Sequence, residues 1–333
     1  MKGGEIIMWA GRLSRIPMRA DGHGPDLMDA DLPRKASVVS ASPRNAHGWW
    51  LLPAVLVVCG LVAGACDSAA PTAPARPLSP AGRLWLAEEI LISRCMAAHG
   101  FRYAVTSPAG TVQPPTFPYG IDDVAWARVH GYGLADQARL AERQRDNPNA
   151  RYTASLPASR QAVYNVTLDG SPTHRLSVTV PNGLVVTQSA DGCLAAAEAR
   201  LYGNFAAWFR DEAITGNLLP AIQPKVYADP RFRHALAAWS ACVRAAGHPA
   251  ATPDDLRNRA AAGGPAVGRD LAVTDATCNR KAGLAATGQT LDRQLGAPVR
   301  ARYRAEIQAC ARLRLAALRR AAAVIRSTTP APS

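Results

Sequence analysis

The sequence predicts an α+β fold that is mainly helical, carries one small antiparallel β-sheet and is cross-linked by disulfides, with two cognate helical units as a variant of that architecture. Three observations predict it. Helix start and stop signals recur, with Ser79-Pro80 and Asp229-Pro230 at the starts and Gly100, Gly203 and Gly247 behind apolar stripes. An Asn-Gly turn, Asn182-Gly183, separates two β-rich runs. Cysteines 95, 193, 242, 278 and 310 are widely spaced, with no Cys-x-x-Cys pair among them.

In chain order, the first helix starts at Ser79-Pro80 and places Leu84, Leu91, Cys95 and Ala98 at helical spacing before Gly100. Residues 101–105 read as a strand and 122–130 as a short helix ended by Gly131; proline and glycine dominate the rest of the stretch to Pro157. Residues 175–180 alternate polar and apolar, the turn Pro181-Asn182-Gly183 follows, and 184–187 form the return strand. Residues 164–168 are expected to add a third strand, because an isolated hairpin is marginal in water. From Asp191 onward the chain reads as helical. Helices are expected over 193–202 and 204–213. Another runs from Pro230, carrying Phe232, Leu236, Trp239, Cys242, Val243 and Ala246 on one stripe. A Gly/Ala loop is expected at 261–264, a helix beginning over 275–284, and a long Arg-rich helix over 299–325.

Residues 51–65 are uncharged and apolar, preceded by Arg34, Lys35 and Arg44 and by Trp49-Trp50, the layout of a signal peptide. The run ends Leu61-Val62-Ala63-Gly64-Ala65-Cys66, which resembles the lipobox of bacterial lipoproteins. That resemblance implies acylation of Cys66, cleavage before it, and anchorage to the outer face of the cell membrane, with the membrane as partner through the lipid. Ala63 stands where Leu is commonest. Cys59, behind Val57-Val58, fits less well. An uncleaved anchor is the alternative, but the run is shorter than the roughly 20 residues that span a bilayer. The long leader points to a translation start at Met18 or Met28. The expected division is a leader and signal peptide at 1–65, a Pro/Ala-rich tether at 66–80, an extracytoplasmic domain at 81–326 with 81–225 and 226–326 as its halves, and a disordered tail at 327–333.

An exported chain encounters an oxidising environment, where spaced cysteines are read first as disulfides. Cys95 and Cys242 each stand five residues before a helix-stopping glycine. Cys193 and Cys278 each follow an acidic residue, Asp191 or Asp275, in the first turn of an expected helix. The pairs Cys95–Cys193 and Cys242–Cys278 follow, with Cys310 left as a buried free thiol. Sequence alone leaves rival pairings among five cysteines, and an intermolecular bond at Cys310, open.

The formal charge is +13, of which +11 falls after residue 65. Nearly all of the basic residues there are Arg, no aromatic-interleaved basic motif is present, and an exported chain has little access to nucleic acid, so no nucleic-acid partner is expected. Anionic lipid or cell-wall polymer suits an outward-facing cation better.

Several segments resemble uncharacterised lipoproteins of actinobacteria: Cys95-Met96 with Gly100-Phe101; Phe117 to Asp123 with His130-Gly131-Tyr132-Gly133; Gly192-Cys193 with Leu201-Tyr202-Gly203; and Trp239-Ser240-Ala241-Cys242. The resemblance spans most of 81–325 and implies a cysteine-stapled scaffold. It brings no catalytic residues and no cofactor. Val243 and His248 depart from the Met and aromatic that it leads one to expect after the second cysteine.

No Gly-x-Ser-x-Gly elbow, His-Glu-x-x-His helix, Ser-x-x-Lys motif or phosphate loop is present in the sequence. The carboxylate pairs Glu88-Glu89, Asp122-Asp123 and Asp254-Asp255 read as caps or solvated groups. No metal site is expected: only His99 lies at ligand spacing from a cysteine, and a histidine beside a helix end reads first as a cap. One candidate pocket remains, in which His130, Tyr132 and Tyr119 converge beside Phe117; a tight turn packed under aromatics is the reading preferred over it. The expected role is a non-catalytic binding or accessory protein serving an envelope complex or cell-wall polymer; a cell-wall hydrolase with an unfamiliar site is the alternative.

Overall fold

The computed structural model describes residues 78–106 and 115–328. The export segment, Cys66, most of the tether and the last five residues of the tail lie outside them. Twelve helices and one hairpin are described: α1 Pro80–Ala98, α2 Val124–His130, α3 Leu134–Arg145, α4 Pro148–Ser155, α5 Ala158–Asp169, β1 Arg175–Thr179, β2 Val185–Ser189, α6 Gly192–Tyr202, α7 Phe205–Gly216, α8 Leu218–Ala228, α9 Pro230–Ala245, α10 Pro253–Ala282, α11 Leu284–Arg302 and α12 Arg304–Arg326. The fold is α+β, mainly helical, with one antiparallel sheet and two disulfides. Among the described residues no helix is long and apolar enough to cross a membrane.

Local signals act where the sequence places them. Ser79 caps α1 by accepting from the Gly82 N–H, with Pro80 in the first turn. Asp123 caps α2 and Asp229 caps α9 in the same way. The hairpin pairs Arg175 with Ser189 through Thr179 with Val185. It turns at residues 181–183, where the Asn182 side chain accepts from the Leu184 N–H.

The expected strands at 101–105 and 164–168 do not form. Burial does alternate over Phe101, Arg102 and Tyr103, yet among the described residues no second strand pairs with them. The Asn149 side chain takes both backbone groups of Ala104 instead, accepting its N–H at 2.7 Å and donating to its carbonyl at 2.9 Å. At 164–168 the period-two pattern of Tyr164, Val166 and Leu168 deceives. Val166 is 50% exposed, and buried Tyr164 and half-buried Leu168, four residues apart, form one face of α5. The hairpin packs against α7 rather than a third strand.

Several helices exceed or replace expectation. Helices α3, α4, α8 and most of α11 form where the sequence reading places no element. The Gly/Ala loop at 261–264 is reduced to a break at Gly264, φ +80°, inside α10. The expected helix at 299–325 is interrupted at Tyr303, between α11 and α12. Cys278 therefore lies near the end of α10, not in a first turn, and Asp275 caps nothing.

The core does not divide at residue 225. Leu84 and Ala87 of α1 pack with Leu201, Tyr202 and Trp208 and with Cys310, Ala317 and Ala321 of α12. Tyr119 joins a second cluster built from α8 to α11, around Trp239, Leu256 and Leu291. The first and last helices are in direct contact, so two sequence-contiguous cognate halves are not how the core is arranged.

Candidate functional site

Cys95 is bonded to Cys193 and Cys242 to Cys278, the pairs anticipated from the helix ends, and Cys310 is a buried free thiol. Burial pushes the Cys310 thiol above its ordinary pKa. The first disulfide joins the last turn of α1 to the first turn of α6. Ile92, Met96, Phe101, Tyr103, Tyr164 and Ala197 pack beneath it.

Above that cluster lies a groove of about 570 Å³, lined by Cys95, His99, Val163, Val166, Asp191 and Cys193 among others. Two glycines give it its shape. Gly170 ends α5 at φ +87° and Gly192 opens α6 at φ +83°. A Cβ on Gly170 would collide with the Asp191 carbonyl oxygen, and one on Gly192 would lie 2.8 Å from the Gly170 Cα. This close approach holds the end of α5 against the start of α6. Asp191 does not cap α6; its carboxylate accepts from the Ser171 N–H at 2.7 Å and faces the His174 Nδ1 at 3.5 Å. Val163 and Val166 of α5 are 51% and 50% exposed along one side, leaving an apolar rim.

His99 stands one helical turn beyond Cys95. Its Nδ1 lies 2.9 Å from the Cys95 carbonyl oxygen, the cap contact anticipated from sequence. His99, Cys95 and Cys193 each bring a potential ligand atom within 4.8 Å of the others.

Each of the three residues expected to share a pocket is held by a carboxylate from a different segment. The Tyr119 hydroxyl donates to Asp292 of α11 at 2.7 Å. The Tyr132 hydroxyl donates to Asp275 of α10 at 2.9 Å. Both phenols are pushed well above the ordinary range, first by burial and then by the neighbouring carboxylate. His130 stacks on Trp126, ring centroids 3.8 Å apart, and its Nδ1 lies 2.8 Å from the Asp136 carboxylate. Burial pulls Asp136 upward, but hydrogen bonds from His130 and Arg139 outweigh it and hold the carboxyl below its usual value. Neither the groove nor a second concavity beside β1 and α7 includes His130, Tyr132 or Tyr119.

Among the buried acids that escaped the sequence reading are Glu89 and Asp275. Glu89 accepts from the Tyr103 hydroxyl at 3.1 Å and the Thr106 hydroxyl at 2.7 Å, so it is neither cap nor solvated. Asp275 is 0% exposed and accepts from Tyr132 and from the Trp239 indole N–H, both at 2.9 Å. Burial raises its pKa to about 7, and those two bonds hold it from going higher. Nothing local marks either acid, because their partners come from segments 14 to 143 residues away.

No protein-family model matches the chain, nor does any curated protein or solved structure.

Proposed function

We propose that the chain is a non-catalytic binding or accessory lipoprotein of the cell envelope, held at the outer face of the membrane by a lipid on Cys66, with the groove above Cys95–Cys193 as its binding surface. The observation that carries this reading is the rim itself: two half-exposed valines, Val163 and Val166, line an open groove whose floor is fixed covalently. The candidate residues for chemistry support it from the other side, since Tyr119 and Tyr132 are absorbed in buried hydrogen bonds to carboxylates.

Two experiments test it. Cys66→Ala should move the protein from the membrane fraction to the soluble fraction, and mass spectrometry of the native chain should find diacylglycerol on Cys66. A photo-crosslinker in place of Val163 should capture an envelope component in intact cells, whereas one in place of Val129, an exposed valine on α2, should not. Equal capture at both positions removes the groove from the reading.

One observation favours the second reading, a cell-wall hydrolase. His130 has a carboxylate, Asp136, within hydrogen-bond reach, the pairing that orients a general base. Turnover of purified wall fragments that His130→Ala abolishes would establish that activity in place of a binding role.

A further inference from the structure

We propose that the Cys95–Cys193 disulfide is the oxidised form of a metal site: once it is reduced, the two cysteine sulfurs and His99 bind one thiophilic divalent cation of the Zn(II) class. This goes beyond the envelope-binding role and does not depend on it.

The donor set is in place before any ion arrives. Among the described residues, Cys95, His99 and Cys193 form the one trio of His, Cys, Asp or Glu side chains whose ligand atoms lie within 4.8 Å of one another. Cys95 and His99 are four residues apart at the end of α1, hence on one face of it, and α6 supplies Cys193 from the opposite side. Two sulfurs and a nitrogen are ligands that zinc takes in tetrahedral sites, with solvent or substrate in the fourth position.

The histidine already carries the second hydrogen bond that a metal ligand uses. A backbone carbonyl only accepts hydrogen bonds, so the 2.9 Å contact with the Cys95 oxygen places the proton on Nδ1 and leaves the Nε2 lone pair free. Metal-bound histidines are held by this type of second bond, in which the other ring nitrogen donates to a carbonyl or carboxylate. His99 is exposed, so an ion can reach its ring from solvent. Cys193 lies in the first turn of α6, where the positive end of the helix dipole favours a thiolate. Binding zinc requires the sulfurs to separate to about 3.8 Å, the tetrahedral edge for Zn–S bonds of about 2.3 Å. Cys95, half-buried and bordering the groove, gives both a reductant and an ion a way in.

The chemistry balances with a dithiol as the reductant. Its thiolate attacks one sulfur of the cystine, the Cys95–Cys193 S–S bond breaks, and a mixed disulfide forms. The second thiol of the reductant resolves that bond. The reductant leaves as a disulfide, and two electrons and two protons have passed to Cys95 and Cys193. Metal entry then forms two metal–sulfur bonds and one metal–nitrogen bond and releases the two thiol protons to solvent.

The test reduces the purified full-length chain with dithiothreitol, removes the reductant without oxygen, and titrates it with Co(II) as a spectroscopic substitute for Zn(II). The expected result is one cobalt per chain, with thiolate-to-cobalt charge-transfer absorption and tetrahedral visible bands that Zn(II) abolishes. His99→Ala should weaken cobalt binding at least about 10-fold, the least that loss of a supporting group at a metal site costs. It should leave far-ultraviolet circular dichroism unchanged, since the side chain is exposed. Cys95→Ser with Cys193→Ser should abolish binding, and Cys242→Ser with Cys278→Ser should retain it. A reduced chain that takes up no cobalt, binds it equally well after His99→Ala, or loses it only on substitution at Cys242 and Cys278 overturns the proposal.

Discussion

The two disulfides are alike in their immediate packing and differ in what stands one helical turn away. In each, one cysteine is buried in an apolar cluster and its partner packs half-buried against that cluster. One turn beyond Cys95 is His99, and the pair borders the groove. One turn before Cys242 and Cys278 are Trp239 and Asp275, hydrogen-bonded to each other at 2.9 Å. That second bond runs beside the disulfide as another tie between α9 and α10. The same covalent link thus belongs to a groove-bordering set of metal-type donors in one place and to a buried polar pair in the other. Its neighbours, not the sulfurs, decide which chemistry surrounds it.

Breaking each staple gives the largest expected effect. Chain entropy assigns about 4.7 kcal/mol to the 98-residue separation of Cys95–Cys193 and about 4 kcal/mol to the 36-residue separation of Cys242–Cys278. Urea unfolding without reductant should therefore show the Cys95→Ser, Cys193→Ser chain as the less stable of the two double variants. The reverse order would mean that the Trp239–Asp275 pair depends on its disulfide, so that losing Cys242–Cys278 also strands a buried carboxyl.

The Asp275 environment predicts a pH dependence of stability. Its carboxyl titrates at about 7 in the folded chain and near 4 in the unfolded one. Between those values the folded chain holds a proton that the unfolded chain has lost. This contribution to stability is fully present below about pH 4, falls by up to about 1.4 kcal/mol per pH unit as pH rises toward 7, and is constant above that. Asp275→Asn should remove this slope from urea midpoints measured across the range. The amide still accepts from Trp239 and can donate to the Tyr132 hydroxyl, so the fold should persist. An unchanged slope would assign the dependence elsewhere.

Smaller effects probe the groove. Gly192→Ala forces a positive φ on a side-chain residue and crowds Gly170, and should cost about 1–3 kcal/mol in urea unfolding. Gly247→Ala, with a positive φ but no neighbour within 4 Å, should cost less, which separates backbone strain from close approach. Val163→Ser with Val166→Ser should shift stability by no more than about 0.5 kcal/mol per residue, because both side chains are half exposed. A larger loss would show that the rim is part of the core.

Much of the architecture was legible in short-range signals. Ser79-Pro80, Asp229-Pro230 and Asn182-Gly183 act within four residues of themselves, so caps and turn appear where the sequence puts them. Cysteine positions at helix ends were enough to anticipate both pairs, although Cys278 does so from the end of a helix rather than its start. The partners of the candidate pocket residues were hidden for the opposite reason. His130, Tyr132 and Tyr119 are close in sequence, but Asp136, Asp275 and Asp292 draw them to different partners. The Cys-x-x-x-His spacing of Cys95 and His99 was visible in sequence; Cys193, which makes the spacing chemically meaningful, arrives from 98 residues away.

The sequence by itself determined the helical class, the hairpin, the cap residues and the cysteine pattern, because each depends on backbone preference and on apolar spacing within one element. Tertiary structure alone decided that 101–105 and 164–168 are not strands, that Glu89 and Asp275 are buried, and that His99 joins two sulfurs at a groove. Those outcomes depend on which distant group satisfies a backbone amide, a carboxylate or a thiol, and in this chain the partners come from segments that meet only after the helices have packed.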